Sequence, residues 1–83
     1  MRVNLEDWKN GWFGLTMGIS VDEIDRLIAL LGALKSDPEQ HFHIASDYKA
    51  AGGVGDVEVF IKADEDPDNL FLSSTALGPG DRL

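Results

Sequence analysis

Ser20-Val21-Asp22-Glu23-Ile24-Asp25-Arg26-Leu27-Ile28-Ala29-Leu30-Leu31-Gly32-Ala33-Leu34-Lys35 is the clearest periodic stretch in this chain. Val21, Ile24, Leu27, Ile28, Leu31 and Leu34 recur at helical spacing, and Leu30 widens the stripe they form. Ser20 followed three residues later by Glu23 is a capping box, in which each side chain serves a backbone N–H that the first turn leaves without a partner. Asp22, Glu23 and Asp25 at the start and Lys35 at the end match the helix dipole. Pro38 ends the run, because its ring cannot continue the hydrogen-bond ladder. The spacing therefore predicts one helix from Val21 to Lys35, with a wide apolar face to cover.

The residues around it alternate with period two. Residues 2–6 place Val3 and Leu5 on one face, and 12–17 place Phe13, Leu15 and Met17 together, with a turn at Lys9-Asn10-Gly11 between the two runs. After the helix, 41–46 sets Phe42 and Ile44 against His41 and His43. Residues 56–62 set Val57, Val59 and Ile61 against Glu58, Phe60 and Lys62, and 70–73 predicts a last short strand. The order is ββαβββ. Short connections favour hairpins, so the expected fold is α+β: two layers, an antiparallel sheet of four to five strands, and one helix on one face. Residues 1–77 make a single domain and 78–83 a flexible tail.

The chain has 83 residues, of which 15 are acidic and seven are Lys or Arg, giving a net charge of -8. A phosphate backbone or an anionic membrane surface repels such a chain, so no nucleic acid and no membrane is expected as partner. Acids at Glu6 and Asp7 stand where a signal peptide would carry its apolar segment. The absence of cysteine removes disulfides and thiolate metal sites and fits a cytoplasmic location. With 43% hydrophobic residues, there is enough apolar material for a small core, which argues against disorder.

Four constellations carry candidate chemistry. His41 and His43, two residues apart on a strand, point to the same side and can chelate a metal, with Asp47 as a third donor; a polar outer strand face explains the same pattern. Asp64, Asp66 and Asp68 occupy the first three ligand positions of an EF-hand loop. Asn69 then stands where Gly is required and Thr75 where Glu is required, so a solvated acidic turn fits better. Gly52-Gly53-Val54-Gly55 lacks the lysine and the following helix of a phosphate loop and reads as a hairpin connection. No nucleophile motif is present, so neither a catalytic residue nor a cofactor is assigned.

The fourth constellation is a surface. If the helix covers the face of Val3, Leu5, Phe13, Leu15, Phe42, Ile44, Val57, Val59, Ile61, Leu70 and Leu72, the opposite face carries Trp12, His41, His43, Phe60 and Phe71, with Trp8, Glu58 and Lys62 on or near it. Trp8, Trp12, Phe60 and Phe71 are then either anchors for a partner or the material of a second small core. Asp64, Glu65, Asp66 and Asp68 put four carboxylates in five positions, a patch suited to steering a basic partner.

Gly11-Trp12-Phe13-Gly14-Leu15-Thr16-Met17-Gly18-Ile19-Ser20, the helix start Glu23-Ile24-Asp25-Arg26-Leu27, and His41-Phe42-His43-Ile44 resemble a small bacterial immunity-protein family of polymorphic toxin systems, over roughly residues 2 to 77. The resemblance implies a non-enzymatic inhibitor that binds a cognate, often basic, toxin, and it carries over no binding residues. The reading is thus an acidic protein-binding domain. The alternatives are a metal- or small-ligand-binding domain built on His41 and His43, and a homodimeric structural module.

Overall fold

A computed structural model describes residues 1–72 together with Gly78 and Gly80. In chain order the elements are β1 (Arg2–Asp7), β2 (Phe13–Gly18), α1 (Val21–Ser36), β3 (His41–Ala45) and β4 (Asp56–Phe60). The α+β class expected from the sequence is present, with one helix among the described residues.

The helix starts as its capping box dictates. The Ser20 hydroxyl accepts the Glu23 N–H at 3.3 Å, and Glu23 Oε1 accepts the Ser20 N–H at 3.0 Å. Glu23 also receives the α-amino group of Met1 at 2.9 Å, tying β1 to the helix N-terminus.

β1 and β2 form an antiparallel hairpin in which Leu5 faces Leu15 and Val3 faces Met17. The turn closes through Asx-type contacts: Asp7 Oδ1 accepts the Lys9 N–H at 2.8 Å and Asn10 Oδ1 accepts the Trp12 N–H at 3.1 Å. Gly11 takes φ +95°, which only glycine adopts without strain, and Lys9 sits at φ 60°. The Trp8 ring lies directly over Gly14, where any Cβ would meet it at 2.8 Å. Gly14 is therefore the platform on which the indole rests.

β3 and β4 form a second antiparallel hairpin, with His41 facing Phe60, Phe42 facing Val59, His43 facing Glu58 and Ile44 facing Val57. The ladder runs one step further, where Ser46 N–H donates to Gly55 O at 2.9 Å. Tyr48, at φ 59°, lays its ring on Gly55 within 2.9 Å of where a Cβ would stand.

Three expectations are corrected. The four strands do not form one sheet: they are two separate two-stranded sheets, β1-β2 and β3-β4. Each hairpin is joined by a local turn and satisfies its own ladder, whereas merging them requires pairing between distant segments. The strand expected at 70–73 is not a strand over its described part, residues 70–72; Ser73 lies outside the described residues, as do Pro79 and residues 81–83 of the expected tail. Finally, the helix packs on β3 and does not cover the apolar face of β1 and β2. Leu5, Phe13 and Leu15 are exposed.

The helix consequently uses only one side of its apolar stripe. Leu34 is the one buried hydrophobic side chain among the described residues, 4% exposed, and Leu27 and Leu30 beside it are half-buried together with Phe42, Ile44, Val57 and Val59. Met1, Leu27, Leu30 and Ile44 line one hollow where the N-terminus, the helix and β3 meet. At about 100° per residue, Val21, Ile24, Ile28 and Leu31 form a neighbouring stripe, and all four are exposed. The radius of gyration is 15.0 Å, against about 12 Å for a compact chain of this length. The small core is built by the helix and the β3-β4 hairpin.

Candidate functional site

Polar chemistry concentrates on the outer face of the β3-β4 hairpin. Alternation puts Phe42 and Ile44 towards the helix, so His41 and His43 must face away from it. Register then sets Glu58 directly across from His43, and Asp56 one pair further along on the same face. The backbone alone brings two imidazoles and two carboxylates together.

His43 is held by Asp56. Its Nδ1 lies 2.9 Å from Oδ2 and 3.1 Å from Oδ1, so Nδ1–H donates into the carboxylate. That hydrogen bond raises the His43 pKa above its ordinary 6.5; partial burial works against it, and the charges of Asp56 and Glu58 add to it. Glu58 Oε1 stands 3.9 Å from His41 Nε2, too far for a hydrogen bond. The His41 and His43 rings meet edge to face with centroids 5.0 Å apart. One donor atom each from His41, His43 and Glu58 lies within 4.8 Å of the others.

Asp47 is not part of this group. Its Oδ1 accepts the Lys49 N–H at 3.1 Å, in a turn where Ser46 Oγ also accepts the Tyr48 N–H at 3.0 Å. β3 ends at Ala45, and the chain turns before Asp47 can reach the histidines. The carboxylate beside the pair comes from the partner strand. The glycines at 52–55 mark the hairpin connection in the sequence, but the register that sets Glu58 across from His43 is fixed only by the Ser46–Gly55 closure.

The acidic segment carries its own cation. Lys62 Nζ donates to the carbonyls of Asp66 at 2.8 Å and Ala63 at 3.2 Å, and it pairs with Asp68 Oδ1 at 3.4 Å. The ammonium sits where the loop's oxygens converge, which makes residues 63–68 a turn folded around a lysine rather than an open calcium loop. Asp64, Glu65, Asp66 and Asp68 all remain exposed.

The four aromatic candidates are also exposed. Trp12 is 71% accessible and Phe60, on the histidine face opposite His41, is 60%. Phe71 is exposed outside any strand, and Trp8 is half-covered by its seat on Gly14. They do not close into a second core.

Fold and surface together define a small, open α+β domain with a histidine–carboxylate face on one hairpin and uncovered apolar residues on the other hairpin and the helix. No family model, no curated protein and no solved structure matches the chain. Among the described residues, no helix is long and apolar enough to cross a membrane.

Proposed function

We propose that this chain is a non-enzymatic, acidic protein-binding domain. The observation that carries the reading is the amount of large apolar surface left uncovered. Leu5, Trp12, Phe13 and Leu15 on the first hairpin and Val21, Ile24, Ile28 and Leu31 on the helix are each between 44% and 79% exposed. An ordinary monomer covers such residues, and exposed tryptophan and phenylalanine are favoured anchors of binding energy.

The sharper form is an immunity-type inhibitor of a basic toxin. It is supported by the sequence resemblance and by the net charge of -8. Asp64, Glu65 and Asp66 would steer the encounter and the aromatics would hold the complex. The test is titration of a purified candidate toxin with the wild-type chain, Trp12→Ala and Phe60→Ser, with association rates measured at low and high salt. Tight binding, weakened at least tenfold by either variant and with an association rate that falls steeply with salt, is the expected result. Unchanged affinity in both variants sinks the aromatic anchor, and a flat salt response sinks the steering.

A second reading, a homodimer, is favoured by one specific observation. Val21, Ile24, Ile28 and Leu31 are spaced three, four and three residues apart, the seam pattern of paired helices, and Val21 is 79% exposed. Solution mass across a range of concentrations separates the two. A dimer that Ile28→Ser converts to monomer supports the second reading, and a monomer at all concentrations removes it.

A further inference from the structure

We propose that His41, His43 and Glu58 form a binding site for one divalent transition-metal ion, for which Zn²⁺ is the natural occupant, with Asp56 orienting the His43 ring from behind. The site needs no partner chain, and it shares the outer face of the β3-β4 hairpin with Phe60.

Three features of the hairpin point to a metal. The first is donor convergence: two imidazoles and one carboxylate on a single strand-pair face, with their donor atoms all within 4.8 Å of one another. A tetrahedral ion with ligand bonds of about 2.0–2.1 Å needs donors roughly 3.4 Å apart. Closing the difference takes side-chain rotation, which is open to groups about half exposed.

The second feature is orientation. Metal-bound histidines almost always give their other ring N–H to a carboxylate, which fixes the tautomer and strengthens the donor. Asp56 does this at Nδ1 of His43, leaving the lone pair of the neutral ring at Nε2. The third is the unclosed gap between His41 and Glu58. At 3.9 Å the two groups face each other without a hydrogen bond, and an ion bound to both would bridge that space.

Donor type selects the ion. Two nitrogens and one oxygen suit zinc, nickel or copper, whereas calcium and magnesium prefer all-oxygen sites. Strands β3 and β4 supply all three ligands, so one chain suffices, and the fourth position faces solvent and would hold water.

The experiment is calorimetric titration of Zn²⁺ into the metal-free 83-residue chain. Co²⁺ is titrated in parallel and its visible absorption read for tetrahedral coordination. One ion per chain is expected, with affinity falling at least tenfold in His41→Ala and in His43→Ala. Asp56→Asn should weaken binding about tenfold at unchanged stoichiometry, and Asp47→Asn should leave it as it was. Absence of saturable binding overturns the proposal, as does binding that both histidine variants retain, or one ion shared by two chains. Should an alanine variant fail to fold, the ring-proton resonances of the wild type give the answer. Zn²⁺ must perturb both His41 and His43, and a perturbation confined to residues 64–68 overturns the site.

Discussion

His43 Nδ1 and Asp56 Oδ2 lie 2.9 Å apart, joining β3 to β4 by a charge-assisted hydrogen bond on the outer face of the hairpin. Asp56 is the residue through which this face titrates. The raised His43 pKa means that the folded chain holds the proton more tightly than the unfolded one. The resulting stabilisation is fully present below the ordinary 6.5 and is lost as pH rises through the higher folded value. In metal-free protein, Asp56→Asn is expected to lower the His43 midpoint in a proton NMR titration, and the stability difference from wild type should shrink on the alkaline side. An unchanged midpoint would remove Asp56 as the cause.

Glu23 titrates at the other end of the pH range. The Met1 amino group, and after it the Ser20 backbone N–H and hydroxyl, lower its pKa from 4.5 to about 2. A depressed carboxylate stabilises the fold above 4.5, and that contribution disappears as pH falls towards 2. Wild type should therefore exceed Glu23→Gln in stability at neutral pH, and the two should converge on acidification, as read by urea unfolding at several pH values. Ser20→Ala removes the other half of the capping box and is expected to lose about 1 kcal/mol at neutral pH.

Leu34 and Ile28 occupy the same helix and should answer differently to substitution. Leu34 is 4% exposed and Ile28 63%. Leu34→Ala is expected to lower stability by about 2–5 kcal/mol, enough to unfold a domain with so small a core. Ile28→Ser should stay within about 0.5 kcal/mol of wild type while the chain is monomeric. Thermal unfolding monitored by circular dichroism distinguishes them, and equal effects would mean that the helix buries a different face.

Gly14 and Trp8 form a coupled pair. Gly14→Ala places a methyl group within 2.8 Å of the indole, so the ring must leave its seat, and a loss of about 1–3 kcal/mol with a red-shifted tryptophan emission is expected. In a Trp8→Ala background the same change should be nearly neutral. A double-mutant cycle measures the coupling, and additive effects would show that the ring does not rest there.

The local devices of this chain were legible in its residues. The Ser20–Glu23 capping box, the Asn10-Gly11 turn and the period-two alternation of 41–46 are each made by neighbours in sequence, and the structure contains the corresponding helix start, hairpin and strand. The candidate site was half legible. Alternation puts His41, His43 and Glu58 on one face, but nearness in sequence favours Asp47 as the third donor, whereas its Oδ1 accepts the Lys49 N–H. Glu58 and Asp56 reach the histidines through strand register, a relation between segments more than ten residues apart.

What composition and periodicity settle here is charge, the helix, and which residues share a strand face, because these depend on residue type and on dihedral preferences that repeat over a few positions. Which faces meet is a tertiary matter. The same apolar pattern on β1 and β2 is compatible with packing under α1 or with standing open, and burial chooses between them only once the chain has folded. Here Leu34, Phe42 and Ile44 gather at the small core, while Leu5, Leu15 and Ile28 remain outside it. The two-sheet arrangement follows from the same physics: each hairpin satisfies its ladder locally, and nothing in the alternation obliges the second pair of strands to join the first.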